Sequence, residues 1–149
     1  EPMEERRRIA EEMGADEVLD PTSGEAVAAV KEMTGGYGAD VVCEMSGHPD
    51  GIRDSFRLAR NAGHVRLLGL PNDEVELDLA DDVIFKGLNV YGVIGRRMYE
   101  TWLEMRDWLS AGLVDISPVI THRLPMEDFE QGIRAMKAGE AAKVVLDVA

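Results

Sequence analysis

Short apolar runs that stop at a glycine, alternating with segments of helical period, leave few folds open to this chain. The longest is Ala39-Asp40-Val41-Val42-Cys43-Glu44-Met45-Ser46-Gly47, entered from Gly35-Gly36-Tyr37-Gly38. Val65-Arg66-Leu67-Leu68-Gly69-Leu70 and Asn89-Val90-Tyr91-Gly92-Val93-Ile94-Gly95 repeat the pattern. A run of this length between turn residues, with helical patterns on both sides, reads as a buried strand of a parallel sheet. Repeated strand–helix units make a doubly wound α/β domain. Ligands of such sheets bind at the carboxyl ends of the strands, which share one rim. Met45-Ser46-Gly47, Leu68-Gly69-Leu70 and Val93-Ile94-Gly95-Arg96 would then wall one cleft. A glycine there leaves room for something flat or charged to approach. Any one of these glycines alone would only end a strand; three in succession point to a nucleotide cleft.

The remaining segments fit this frame. Residues 3–13 read as a helix, with Glu4 and Glu5 at its positive end, Ile9, Ala10 and Met13 on one face, and Gly14 closing it. Residues 17–20 read as a short strand stopped by Pro21. A second helix starts at Thr22-Ser23-Gly24-Glu25 and turns Val27, Val30 and Met33 inward. A third, from Pro49 to Arg60, buries Ile52, Phe56 and Ala59 and ends in a tight turn at Asn61-Ala62-Gly63. Val75-Glu76-Leu77-Asp78-Leu79 alternates as a half-exposed edge strand does, and Val83-Ile84-Phe85 follows on a short helix. Trp102, Met105, Trp108 and Leu109 lie at helical spacing between Met98 and Ala111, as core or interface residues. An extended piece at 119–121, a helix at 127–137 and a closing strand at 143–147 complete the chain.

Composition narrows the function. The formal charge is −13, from 29 acidic and 16 basic residues, and so negative a surface repels nucleic acid and anionic lipid. No run of about 18 apolar residues could span a membrane, and the first residues lack the apolar centre of a secretory signal. These features lead us to expect a cytoplasmic protein. One cysteine, Cys43, excludes a disulfide framework and a cysteine-rich zinc site; in mid-strand it reads as a small buried apolar residue. No His-Glu-x-x-His and no Gly-x-Gly-x-x-Gly occurs, so a phosphate-binding glycine turn lies outside these residues. His48 falls beside the proposed cleft but reads as a surface loop residue rather than an acid–base catalyst. Glu1-Pro2, directly before a helix, fits the strand-end acid that binds adenosine ribose hydroxyls. Arg6 could stack on adenine or meet phosphate, while Arg7 and Arg8 read as solvated. An acid at that point favours NAD over NADP.

Gly14-Ala15-Asp16, Gly38-Ala39-Asp40-Val41 through Ser46-Gly47, Leu68-Gly69-Leu70 and Ile120-Thr121-His122-Arg123 resemble the medium-chain zinc-dependent alcohol dehydrogenases. Gly95-Arg96 followed by Glu100-Thr101-Trp102 is similar to the L-threonine 3-dehydrogenase branch. The resemblance implies an incomplete Rossmann-type sheet lacking its first strand and glycine-rich turn. It implies a partial NAD-binding domain over 1–116 and, over 117–149, a segment that in relatives packs on an absent catalytic domain holding the zinc ligands. The implied reaction moves hydride from the 3-hydroxyl carbon of L-threonine to NAD, giving 2-amino-3-ketobutyrate. Another polyol or alcohol dehydrogenase, or a self-associating module that binds no nucleotide, are the alternatives. Carried over by position, the cofactor residues are Glu1, Arg6, Met45, Ser46, Gly47, Leu68, Gly69, Val93, Ile94 and Arg96. Ile94 stands where close relatives would be expected to have a small polar residue. No catalytic or metal-binding residue is assigned. The expected chain is a fragment without activity of its own, forming homodimers or homotetramers through the edge near Val75–Leu79.

Overall fold

In the computed structural model, which describes residues 1–148, the chain forms two units. One comprises residues 23–96, the other residues 1–22 together with those from Arg97 on. In chain order the elements are α1 (Glu4–Glu12), α2 (Ala26–Met33), β1 (Ala39–Glu44), α3 (Pro49–Leu58), β2 (Ala59–Leu67), β3 (Asn89–Gly92), α4 (Glu100–Ser110), β4 (Ile120–Pro125), α5 (Phe129–Ala138) and β5 (Lys143–Asp147). The result is an α/β fold with small parallel sheets, of the dinucleotide-binding type expected.

The unit of residues 23–96 is built around α3. His48 is extended, and its Nδ1 accepts the Asp50 N–H at 3.3 Å. Pro49 follows in the first turn and Asp50 puts negative charge at the positive helix end. Ile52 and Phe56, four residues apart, share the buried face with Ala59 and Val65. Burying each of the two large side chains contributes about 1.5–3 kcal/mol. The helix covers one face of a sheet in the order β1-β2-β3, all parallel. Val42 and Leu67 complete this core from the sheet, and Val75, Leu77, Val83 and Leu88 from the connection between β2 and β3.

Several expectations fail here, each for a physical reason. β1 is not buried on both faces. Among the described residues it pairs only with β2, and Val41 and Cys43 on its other face are exposed. Cys43 is therefore not the buried residue its apolar neighbours suggested. β2 begins at Ala59, six residues early. Ala39 pairs with Ala59 but Val41 pairs with His64, so the expected turn at 61–63 is a bulge inside the strand. Ala62, at φ 57°, donates to the Lys86 carbonyl at 2.7 Å to hold that bulge. Residues 75–79 form no ladder. The alternation is genuine, since Val75 and Leu77 pack inward, but an edge strand needs a neighbour and this segment has none among the described residues. The short helix beyond it is a π turn over Ala80–Ile84.

In the other unit, β4 and β5 pair in parallel with α5 as the crossover between them. Gly132 makes this packing possible: a Cβ there would lie 2.8 Å from Val144 Cγ1. The closing strand thus belongs to a two-stranded sheet. Residues 17–20 carry no ladder, and the expected strand is absent. They are held instead by local polar contacts. Asp20 accepts the Thr22 hydroxyl at 2.6 Å and its N–H at 2.9 Å. Arg7 is not solvated: it donates to the Glu1 carbonyl at 2.7 Å and pairs with Asp20 at 3.3 Å. Trp102 and Trp108 on α4 stay about half exposed. Among the described residues no helix is long and apolar enough to cross a membrane.

Candidate functional site

Parallel pairing puts the carboxyl ends of three neighbouring strands on one edge. Glu44 of β1 stands beside Leu67 of β2, which stands beside Gly92 of β3. The backbone keeps the exits together beyond the last paired residues. Leu68 N–H and Gly69 N–H both donate to the Glu44 carbonyl, at 2.9 and 3.2 Å, and Val93 N–H donates to the Leu67 carbonyl at 2.8 Å. Met45, Ser46, Gly47, Leu68, Gly69, Val93, Ile94 and Arg96 all belong to this edge or its immediate continuation.

These residues fall into two groups. Met45 is 58% exposed, Leu68 42%, Val93 41% and Ile94 94%. Four uncovered apolar side chains at adjacent strand ends form a platform that suits the faces of nicotinamide or adenine. The glycines serve a different purpose from the one the sequence suggested. Gly47, at φ +68°, turns its missing side chain toward the Leu70 backbone, where a Cβ would lie 2.5 Å from the carbonyl oxygen. A Cβ on Gly69 would overlap the Gly47 nitrogen. Their bareness lets the two exits pack against each other, rather than leaving a gap for a ligand. Gly95, by contrast, has nothing within 4 Å of where its Cβ would stand.

A residue that the sequence pattern does not single out is buried at the β1 end of this edge. Glu44 is 5% exposed. Its Oε1 accepts the N–H of Ser46 at 2.9 Å, the Ser46 hydroxyl, and the N–H of Gly47 at 3.1 Å. Oε2 accepts the same Gly47 N–H at 3.2 Å. The Ser46 oxygen in turn accepts the His48 N–H at 3.0 Å, tying this turn to the cap of α3. His48 is thereby a helix cap, with Nδ1 committed as an acceptor.

Glu1 and Arg6 lie in the other unit. The Glu1 carboxylate accepts the Met3 N–H at 3.1 Å at the start of α1, and Arg6 is exposed. The edge of 23–96 presents an exposed apolar surface. Its N–H groups at Ser46, Gly47, Leu68, Gly69 and Val93 are already used within the protein, so it offers no cradle for a pyrophosphate. No three His, Cys, Asp or Glu side chains gather as a metal site among the described residues.

Residues 1–111 match the family model described as zinc-binding dehydrogenase. The chain is 46% identical over 143 residues to the L-threonine 3-dehydrogenase of Bacillus licheniformis, spanning 96% of this chain and 41% of that protein. Among solved structures it is similar to 2R,3R-butanediol dehydrogenase of Bacillus subtilis, with 27% identity and a TM-score of 0.86 over 98% of this chain and 42% of the other. A structure assigned to the zinc-binding dehydrogenases, from Sinorhizobium meliloti 1021 and bound to NADP, matches with 28% identity and a TM-score of 0.80, covering 99% and 42%. The chain thus spans about two fifths of the length of the relatives it matches.

Proposed function

The chain belongs to the zinc-binding dehydrogenases, and from that premise we propose that it is the cofactor-binding and carboxyl-terminal portion of an NAD- and zinc-dependent L-threonine 3-dehydrogenase. The observation that carries the reading is the common edge: three parallel strand ends presenting Met45, Leu68, Val93 and Ile94 uncovered, side by side. The 46% identity to a threonine dehydrogenase supports threonine as the substrate. The reaction removes hydride from the 3-hydroxyl carbon of L-threonine and a proton from its oxygen, leaving 2-amino-3-ketobutyrate. NAD bound along the edge supplies the hydride acceptor.

Within this chain the residues bind and orient. Met45 and Leu68 offer one apolar wall, Val93 and Ile94 another, and together they keep water from the ring face. Ser46, Gly47 and Gly69 hold those walls in register through the backbone. Arg96 is a cation for the anionic part of the cofactor. In the other unit, taken by itself, Glu1 and Arg6 keep their reading as a ribose-binding acid and its neighbouring cation, an acid that would repel a 2′-phosphate and so favours NAD. The described residues gather no ligand set for zinc. On this reading the metal is held by a catalytic domain outside these residues, 1–116 is a partial NAD-binding domain, and 117–149 packs on that catalytic domain. The one-sided pairing and exposed face of β1 support a sheet with a further strand to come, and hence a chain inactive by itself. The reading includes a cytoplasmic enzyme that pairs residues 75–79 with the same segment of a second copy.

The structural likeness to a butanediol dehydrogenase favours a second reading, a polyol dehydrogenase of the same family. Turnover of L-threonine and of 2,3-butanediol by the full-length, zinc-replete protein, each with NAD and with NADP, separates the two. Preference for threonine with NAD is expected. Faster turnover of the diol, or of NADP, would replace the substrate or the cofactor in this reading. A protein that neither turns over nor changes NADH fluorescence saturably would be a structural module instead.

A further inference from the structure

Glu44 is a buried carboxylate that the chemistry above does not use. Among the described residues no Lys, Arg or His pairs with it. A carboxylate removed from water without a counter-ion is costly unless its oxygens are fully hydrogen-bonded, so packing alone would favour Leu or Met here. The donors it gathers identify what the charge does instead. The N–H and hydroxyl of Ser46 and the N–H of Gly47 all turn inward onto its carboxylate, while its main-chain oxygen receives Leu68 and Gly69. Its side chain therefore holds the exit of β1, while its carbonyl receives the exit of β2. With the amides on each side of it held, Met45 is left facing outward. Oε2 also lies where a Gly69 Cβ would come within 2.6 Å, so the clamp and the close glycine contact are one arrangement. Through the Ser46 oxygen it extends to His48 and the start of α3.

We propose that Glu44 is a positioning residue for the cofactor. It sets the height and spacing of the Met45 and Leu68 walls against which the dinucleotide lies, without touching the dinucleotide itself. This rests on the reading of the edge as a cofactor site. In Glu44→Gln one acceptor is kept and the other becomes an NH₂ group facing the Gly47 N–H, so the clamp opens on one side. Ser46→Ala removes only the hydroxyl.

The test uses the full-length, zinc-replete enzyme, with steady-state kinetics in NAD and threonine, NADH affinity by fluorescence, and melting temperature. Glu44→Gln should raise the NAD KM and the NADH Kd about tenfold, which corresponds to about 1.4 kcal/mol. Its kcat at saturating NAD and its threonine KM should stay within about twofold. Ser46→Ala should move the same two constants about threefold in the same direction. A Glu44→Gln enzyme that melts lower yet binds NADH as the wild type does would overturn the proposal and leave a fold brace. If Glu44→Gln does not fold, Ser46→Ala decides, and an unchanged NADH Kd there overturns it. Wild-type protein that binds no NADH removes the premise, and the proposal with it.

Discussion

Substituting Gly69 by alanine tests whether the exits of β1 and β2 are in obligatory contact. Gly69 does not have a left-handed backbone, so alanine adds no dihedral strain and the whole effect is space. The added methyl would overlap the Gly47 nitrogen and lie 2.8 Å from Gly47 Cα and 2.6 Å from Glu44 Oε2. Ordinary contact starts at 3.4 Å, so these two separations fall short by 0.6 and 0.8 Å. The atoms it meets cannot rotate away, because two are backbone and the third is held by Ser46 and Gly47. The exits must part instead, and the Gly69 N–H, already 3.2 Å from the Glu44 carbonyl, leaves hydrogen-bonding range. Overpacking of this kind costs about 1–3 kcal/mol and the lost hydrogen bond about 1 more. For a domain of 150–250 residues that lowers the melting temperature by roughly 4–16 °C. Gly92→Ala is the control, since nothing lies within 4 Å of its Cβ position and its backbone is also not left-handed. It should be neutral, or stabilising by about 0.4–1 kcal/mol through the unfolded chain. The assay is thermal unfolding of the full-length protein at a fixed scan rate. Gly69→Ala melting within a degree of wild type, or Gly92→Ala losing as much, would refute the contact.

Three further outcomes follow from the packing and the charges. Phe56→Ala empties the centre of the core under α3 and should cost about 3–5 kcal/mol, read as a fall in denaturation midpoint; a loss below about 1 kcal/mol would show that core to be loose. The Thr22 hydroxyl, then the Thr22 N–H, opposed by burial and helped to a lesser extent by Arg7, hold the Asp20 carboxyl below its ordinary value. Its stabilisation is complete above the unfolded value near pH 4 and fades as acid carries the pH through the lower folded value. Carboxyl NMR titration should show the midpoint rise in Thr22→Val, and an unchanged midpoint contradicts the assignment. Burial pushes Lys86 down, helped by Lys31 and opposed by Asp82. Between the folded and unfolded values the unfolded chain binds more protons, so stability rises with alkaline pH there. That rise should vanish in Lys86→Gln, and its persistence would assign it to another group.

The elements legible in the sequence are those whose stabilisation is local or amphipathic. Ile52 and Phe56 announce the buried face of α3 by spacing alone, and Pro49 marks its first turn. Gly35 to Gly38 and the run to Gly47 place β1 to within a residue or two. The failures share one cause: a strand is defined by its neighbour, and periodicity does not name the neighbour. Residues 17–20 and 75–79 have strand-like patterns and no ladder. Val41 and Cys43 read as buried because parallel strands normally are, yet nothing covers that face of β1 among the described residues. The early start of β2 depends on Ala59 finding Ala39 across a bulge, which no pattern within either strand encodes.

The edge is legible as a place and not as a device. Three glycine-ended strands point to one rim because parallel topology requires it, and that inference needs no side-chain detail. What each glycine does there is a matter of tertiary contact. Gly47 and Gly69 are adjacent in space and 22 positions apart in sequence, so their mutual approach leaves no local trace. Glu44 escapes the pattern for a related reason. An acid near the end of an apolar run looks like the strand's emergence into solvent, the ordinary position for a charge. The signal that could expose it is Ser46 and Gly47 shortly after it: two residues whose N–H groups would otherwise be left unsatisfied beneath a packed turn. A carboxylate two residues upstream of a serine–glycine pair is a self-contained acceptor for that turn, and its burial follows once Gly69 closes over it. The same logic explains why the apolar residues of the rim stay exposed. The polar groups of the turn are consumed within the protein, so the surface that remains for a ligand is the apolar one.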